Sequence, residues 1–148
     1  MSEALYQVDE KSDYKKAISI MKNQQTYSAR ALRSSLYYSL GKFDHAKVEL
    51  DEALQNQWQD IPAHMKESFW AMNALIAHKR GKFEIADRLL KIFFNLKPKN
   101  TDLLKTMKSL KSYNDLGLLT GVPSEGVLKG FTADYDFFSG DVIIAEGL

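Results

Sequence analysis

Residues 41–50 read GKFDHAKVEL, and residues 81–90 read GKFEIADRLL. Gly41, Phe43, Ala46 and Leu50 return as Gly81, Phe83, Ala86 and Leu90, each displaced by 40 positions. Four matches at one offset mark an internal helical repeat, in which each unit cannot bury its apolar face alone and stacks on its neighbour. Each position has a physical reason. A helix that ends in a left-handed turn wants glycine just past its last turn, where no Cβ clashes. Gly41 closes "SLYYSL" and Gly81 closes "NALIAHKR". The chain then reverses into a second helix, with an aromatic residue in its first turn. The small Ala46 and Ala86 allow close approach to the hairpin partner, and Leu50 and Leu90 lie four residues further along the same face.

The spacing continues outward in both directions. Ala46, Leu50, Ala53 and Leu54 form one stripe; Ala86, Leu89, Leu90, Phe93 and Phe94 form its equivalent. A fainter copy lies in "SDYKKAISIM" at 12–21, where Tyr14, Ala17 and Met21 keep the 3-then-4 spacing. The periodicity predicts about seven helices: a short one over Glu3–Glu10, one capped by Ser12 or Asp13 and reaching about Asn23, then 27–40, 42–57, 60–80, 82–96, and a last one from Asn100 or Thr101 to about Leu119. Pro62 is expected in a first turn, where its missing N–H costs nothing. In the last helix Leu103, Leu104, Met107 and Leu110 form an apolar stripe, with lysines 105, 108 and 111 opposite, as an end-capping helix requires.

These pieces resemble the tetratricopeptide repeat. The second copy matches best: Trp70 for the early aromatic, Gly81, Phe83 and Ala86 for the turn, Leu96 and Pro98 in "NLKPKN" for the ending. The first copy matches at Tyr37, Gly41, Phe43, Ala46, Leu50 and Ala53 and lacks the proline. The family period is about 34 residues; here the offsets are 29 and 40, and the latter also suits HEAT-like repeats. The resemblance covers roughly residues 12–100. It implies an all-α, right-handed superhelical array of antiparallel helix hairpins over residues 1–121. It also implies a partner groove lined by the first helix of each hairpin. Aligned on the glycines, that groove would hold Ala31, Ser35 and Tyr38 from one hairpin and Ala71, Leu75 and His78 from the next. The family subset that grips a chaperone's C-terminal carboxylate uses lysine and asparagine there, and these positions hold neither.

Composition changes after the last expected helix. Only Gly41 and Gly81 occur before residue 117; the other glycines are 117, 121, 126, 130, 140 and 147. Residues 122–148 carry Lys129 against Glu125, Asp134, Asp136, Asp141 and Glu146, a net of −4, so the remainder carries +5 of the total +1. Val127, Leu128, Phe131, Tyr135, Phe137, Phe138 and "VIIA" at 142–145 make this tail more apolar than disordered segments usually are. Phe131, Phe137, Phe138 and Ile143 are its expected anchors on the repeat surface, in the same molecule or by self-association. The whole chain of 148 residues is 45% hydrophobic, enough for one domain burying ~70% of its unfolded surface. No stretch is apolar enough to span a membrane, and the start "MSEALYQ" has no basic-then-apolar leader. With no cysteine, disulfides and cysteine-bound metals are excluded. A cytoplasmic setting is the expectation.

Motifs for chemistry are missing. There is no phosphate loop and no nucleophile elbow. His45, His64 and His78 lack the four-residue spacing of helical metal ligands and are expected to face solvent or cap helices. "DYDFFSGD" fails the calcium-loop pattern because its sixth position is Ser139. Trp58 and Trp70 are expected in the core. Near-zero net charge gives no general pull toward nucleic acid, leaving an RNA-binding helical repeat as the least favoured reading. Neither enzyme activity nor a cofactor is expected. The chain reads as a protein-binding module, an adaptor or small chaperone holding an apolar helix or extended segment of another protein. Two versions compete: a secretion-system chaperone of the type III kind, and a scaffold similar to the mitochondrial fission adaptor without its membrane anchor. Should the groove not serve, the basic patch near Arg80 and Lys82 is the next site.

Overall fold

The computed structural model describes residues 2–123, with the side chains of 2–11 outside that description. Six α-helices follow one another: α1 (Ser2–Met21), α2 (Tyr27–Ser39), α3 (Phe43–Asn56), α4 (Ala63–Lys79), α5 (Phe83–Asn95) and α6 (Thr101–Thr120). A short 3-10 turn at Trp58–Asp60 precedes α4. Among the described residues there is no strand, so the all-α expectation holds.

The two repeated glycines have the conformation their position demands. Gly41 and Gly81 share φ +76°, in the left-handed region. The hydrogen bonds around them are the same. Lys42 N–H donates to Tyr37 C=O at 2.8 Å and Gly41 N–H to Tyr38 C=O at 3.0 Å; Lys82 N–H donates to Ala77 C=O at 2.9 Å and Gly81 N–H to His78 C=O at 3.0 Å. This double closure satisfies carbonyls that a helix end otherwise leaves open and reverses the chain. The result is two hairpins, α2 with α3 and α4 with α5. The other ends use side chains. Thr26 accepts from Ala29 N–H at 3.1 Å and Asn100 accepts from Leu103 N–H at 3.0 Å.

Two boundaries depart from the sequence reading. The two expected N-terminal helices are one, giving six helices and not seven. "DEKSD" at 9–13 contains neither Gly nor Pro, so nothing forces a break, and Ser12 and Asp13 lie inside the helix. Pro62 is not in a first turn. It precedes Ala63 in an extended conformation, and its carbonyl accepts from Met65 and Lys66 at 2.9 and 3.0 Å.

The hairpins stack because their small and apolar faces meet. Ala46, Leu50, Ala86 and Leu90 are fully buried. α3 packs on α4, so the second hairpin sits on the first, and α6 closes the far side by packing on both α4 and α5. Phe69, Met72, Leu75, Ile76, Leu90, Phe93, Met107 and Leu110 form the shared core. α1 closes the near side against α2: Met21 joins Leu32 and Leu36, with Tyr14, Ala17 and Ile18 packed around them. The fainter motif at 14, 17 and 21 therefore faces the array. Arg33, almost wholly buried, fastens this end. Its guanidinium donates to Glu49 of α3 and to the carbonyls of Met21 and Gln24. A buried charge needs such partners, since taking it out of water is otherwise costly. Trp58 and Trp70 are half-buried and meet edge to face at 5.9 Å, with the Lys66 ammonium over the Trp58 ring.

Candidate interaction surface

The six residues expected to line a groove are core residues in this structure. Ala31, Ala71, Leu75 and His78 are fully buried, and Ser35 and Tyr38 are nearly so. The reason lies in the stacking. α4 is enclosed by α3, α5 and α6, and every residue from Ala71 to His78 is buried. Ala31 and Tyr38 of α2 belong to the same apolar cluster as α4. Small residues at these places bring helices together and do not open a channel between them. The tail anchors Phe131, Phe137, Phe138 and Ile143 lie outside the described residues.

His78 also departs from its expected exposed position. Its Nδ1 lies 3.0 Å from Asn114 Oδ1, while Asn114 Nδ2 donates to the Phe83 carbonyl at 2.9 Å. Because that amide already donates through nitrogen, its oxygen accepts, and His78 Nδ1 carries the proton. Burial holds the His78 pKa below its usual 6.5; the bond to Asn114 opposes this, and Lys79 adds to it. Asn114 thus ties α6 to the turn between α4 and α5. Burial likewise pushes the Tyr38 phenol upward, and its hydroxyl finds no hydrogen-bond partner among the described residues.

The accessible concavities lie elsewhere, along the edge formed by the two hairpin turns and the end of α6. Three open clefts run in series. The middle one, about 520 Å³, lies between the two turns and is lined by Gly41–His45 together with Arg80 and Lys82. Its lining holds Lys42, Arg80 and Lys82 against the single carboxylate of Asp44. Arg80 Nε donates to Asp44 Oδ1 at 2.7 Å across the cleft. Lys42 and Lys82 form no ion pair among the described residues, and neither side chain carries a cap for the helix it precedes. The second cleft, about 380 Å³, shares Lys82 and continues through Phe83 and Ile85 to Gly117, Leu118 and Gly121. The third, about 260 Å³, shares Asp44 and His45 and is walled by Tyr37, Val48 and Glu49. The edge is thus basic in the middle and mainly apolar at both ends, each end also carrying a carboxylate, Glu84 in the second cleft and Glu49 in the third. Val48 is 58% exposed at one end, and Ile85 and Leu118 are 44% and 45% exposed at the other. Leu116 and Leu119 of α6 and Val122 just beyond it are exposed as well.

Local sequence explains this edge. A glycine in the left-handed conformation ends each first helix, so each second helix must start at the same side of the array. Lys42 and Lys82 are therefore brought to one edge by the repeat itself. "HKRGK" at 78–82 marks the basic patch in the sequence. Ile85 and Leu118 carry no such signal, because their juxtaposition depends on how α6 returns along α5. Among the described residues no three His, Cys, Asp or Glu side chains converge as metal ligands would, and no helix is long and apolar enough to cross a membrane. Comparison with protein-family models, curated proteins and solved structures found no match.

Proposed function

We propose that this chain is a non-enzymatic protein-interaction module, a tetratricopeptide-like array that holds an extended segment of another protein along its turn edge. The observation that carries the reading is the series of three clefts, basic in the middle and mainly apolar at its ends. An extended segment with acidic residues between two apolar anchors fits that order. Half-exposed aliphatic side chains such as Ile85 and Leu118 supply binding energy on burial, and the lysines supply orientation and a faster encounter. The repeated hairpin, which the tetratricopeptide resemblance shares, gives the edge a rigid support. The adaptor reading and the secretion-chaperone reading both use such a surface. The module is taken to act in the cytoplasm, where a cysteine-free helical array needs no oxidative cross-link.

The test is affinity capture from cells that express the protein naturally, with ribonuclease treatment as a control. Leu118→Asp and Lys82→Glu should each lower recovery of the specific partner about tenfold, the equivalent of ~1.4 kcal/mol, with helical circular dichroism unchanged. Full recovery by both variants, or loss of all capture on ribonuclease treatment, would contradict the reading.

A further inference from the structure

We infer that the turn edge is the docking site of the chain's own C-terminal segment, residues 124–148. The inference goes beyond binding of a partner and would hold if no partner existed. Three observations carry it.

The first is position. α6 is capped by Gly121, in a left-handed conformation at φ +74°, and Gly121 itself lines the second cleft. The chain therefore leaves the described fold at one end of the edge, beside Phe83, Ile85 and Leu118.

The second is order. From that exit the edge runs mainly apolar (Phe83, Ile85, Leu118, with Glu84 beside them), then basic (Lys82, Lys42, and Arg80 paired with Asp44), then mainly apolar again (Tyr37, Val48, with Glu49 held by Arg30 and Arg33). Read from Pro123 onward, the segment runs apolar (Val127, Leu128, Phe131), then acidic and aromatic (Asp134, Asp136, Phe137, Phe138, Asp141), then apolar again (Val142, Ile143, Ile144). Sequence and surface match in order as well as in kind. The charge is complementary: −4 in residues 122–148 against +5 in the rest of the chain.

The third is reach. An extended chain advances ~3.3 Å per residue, so the residues between Pro123 and Ile143 can span roughly 60 Å. Neighbouring packed helices are about 8–10 Å apart, so the edge of two hairpins and one capping helix is well within that length. Apolar burial at the two ends holds the segment, and the acids fix its register over Lys42 and Lys82. A docked segment occupies the surface proposed above for a partner, which makes it an intramolecular competitor.

The chain has no cysteine, so single nitroxide labels can be placed cleanly in the full-length protein. Lys129→Cys and Ser139→Cys label the two halves of the segment. With the label at 129, paramagnetic broadening should remove most of the amide signal of residues 83–85 and 117–121. With the label at 139, it should fall on residues 41–45 and 80–82. In a mixture of isotope-labelled chain without nitroxide and nitroxide-labelled chain without isotope, these amides should keep their signal. Adding Lys82→Glu and Leu118→Asp should restore the signal in the singly labelled samples. Absence of broadening at these amides, or broadening at another face, would overturn the inference. So would broadening that appears in the mixed sample, which would assign the edge to the segment of a second copy. Broadening reports on the segment and capture reports on the partner, so failure of one reading is distinguished from failure of the other.

Discussion

The imidazole of His78 is fully buried and donates to Asn114, a residue 36 positions away in the sequence. Such a group must be neutral to stay where it is, because burial penalises the charged form. The sign of the consequence follows from proton linkage. The unfolded chain protonates histidine near 6.5, whereas the folded chain does so only at lower pH. Between those two values the unfolded state binds more protons, so stability from this site is present above pH 6.5 and is lost as pH falls toward the folded value. Denaturant unfolding measured over that range should show the decline. His78→Gln keeps a donor for Asn114 but cannot titrate, and its curve should be flatter. Parallel curves for the two proteins would show that His78 does not meet a buried, uncharged environment. His45 and His64, by contrast, are exposed. Nothing beside His78 in the sequence announces its burial, since Asn114 reaches it from another helix.

At the scale of elements, the contact between α5 and α6 decides how the array ends. Gly117 lies inside α6, and a Cβ there would come within 2.5 Å of the Phe83 ring. Two effects oppose each other in Gly117→Ala. Helix preference favours alanine by ~0.5–1 kcal/mol, while overpacking against a buried ring costs about 1–3 kcal/mol. Phe83 is only 8% exposed and its ring already meets His78 edge to face, so it has little room to retreat. The clash should win. Thermal unfolding of Gly117→Ala is expected at lower temperature, with recovery when Phe83→Leu is added. A variant more stable than the parent would show that α6 does not press on that ring. Helix positions were legible because Gly41, Phe43, Ala46 and Leu50 each have a local cause that recurs 40 residues on. The junction of the first two expected helices was not legible in the same way. Ser12 and Asp13 favour caps but also tolerate a helix interior, and α1 runs through them.

At the scale of the whole molecule, the repeat has two consequences that pull the site away from where helix alignment places it. Stacking buries the inward faces of α2 and α4, so Ala31, Ser35, Tyr38, Ala71, Leu75 and His78 become core. The same stacking aligns the turns, so Lys42, Lys82 and the Arg80–Asp44 pair collect at one edge. Small residues in a helical stripe have two readings, a shallow groove or a close helix contact, and spacing alone does not separate them. The basic patch at Arg80 and Lys82 was visible in "HKRGK", whereas its apolar continuation at Ile85 and Leu118 required the return path of α6. The most direct test of the edge as the interaction surface is hydrogen exchange by mass spectrometry, on the chain ending at Pro123, alone and with its captured partner. The account predicts slowed exchange in residues 41–48, 80–85 and 117–122, with little change in the middle of α3 or α5. Slowed exchange confined to the outer faces of those helices, with the turn edge unchanged, would contradict it.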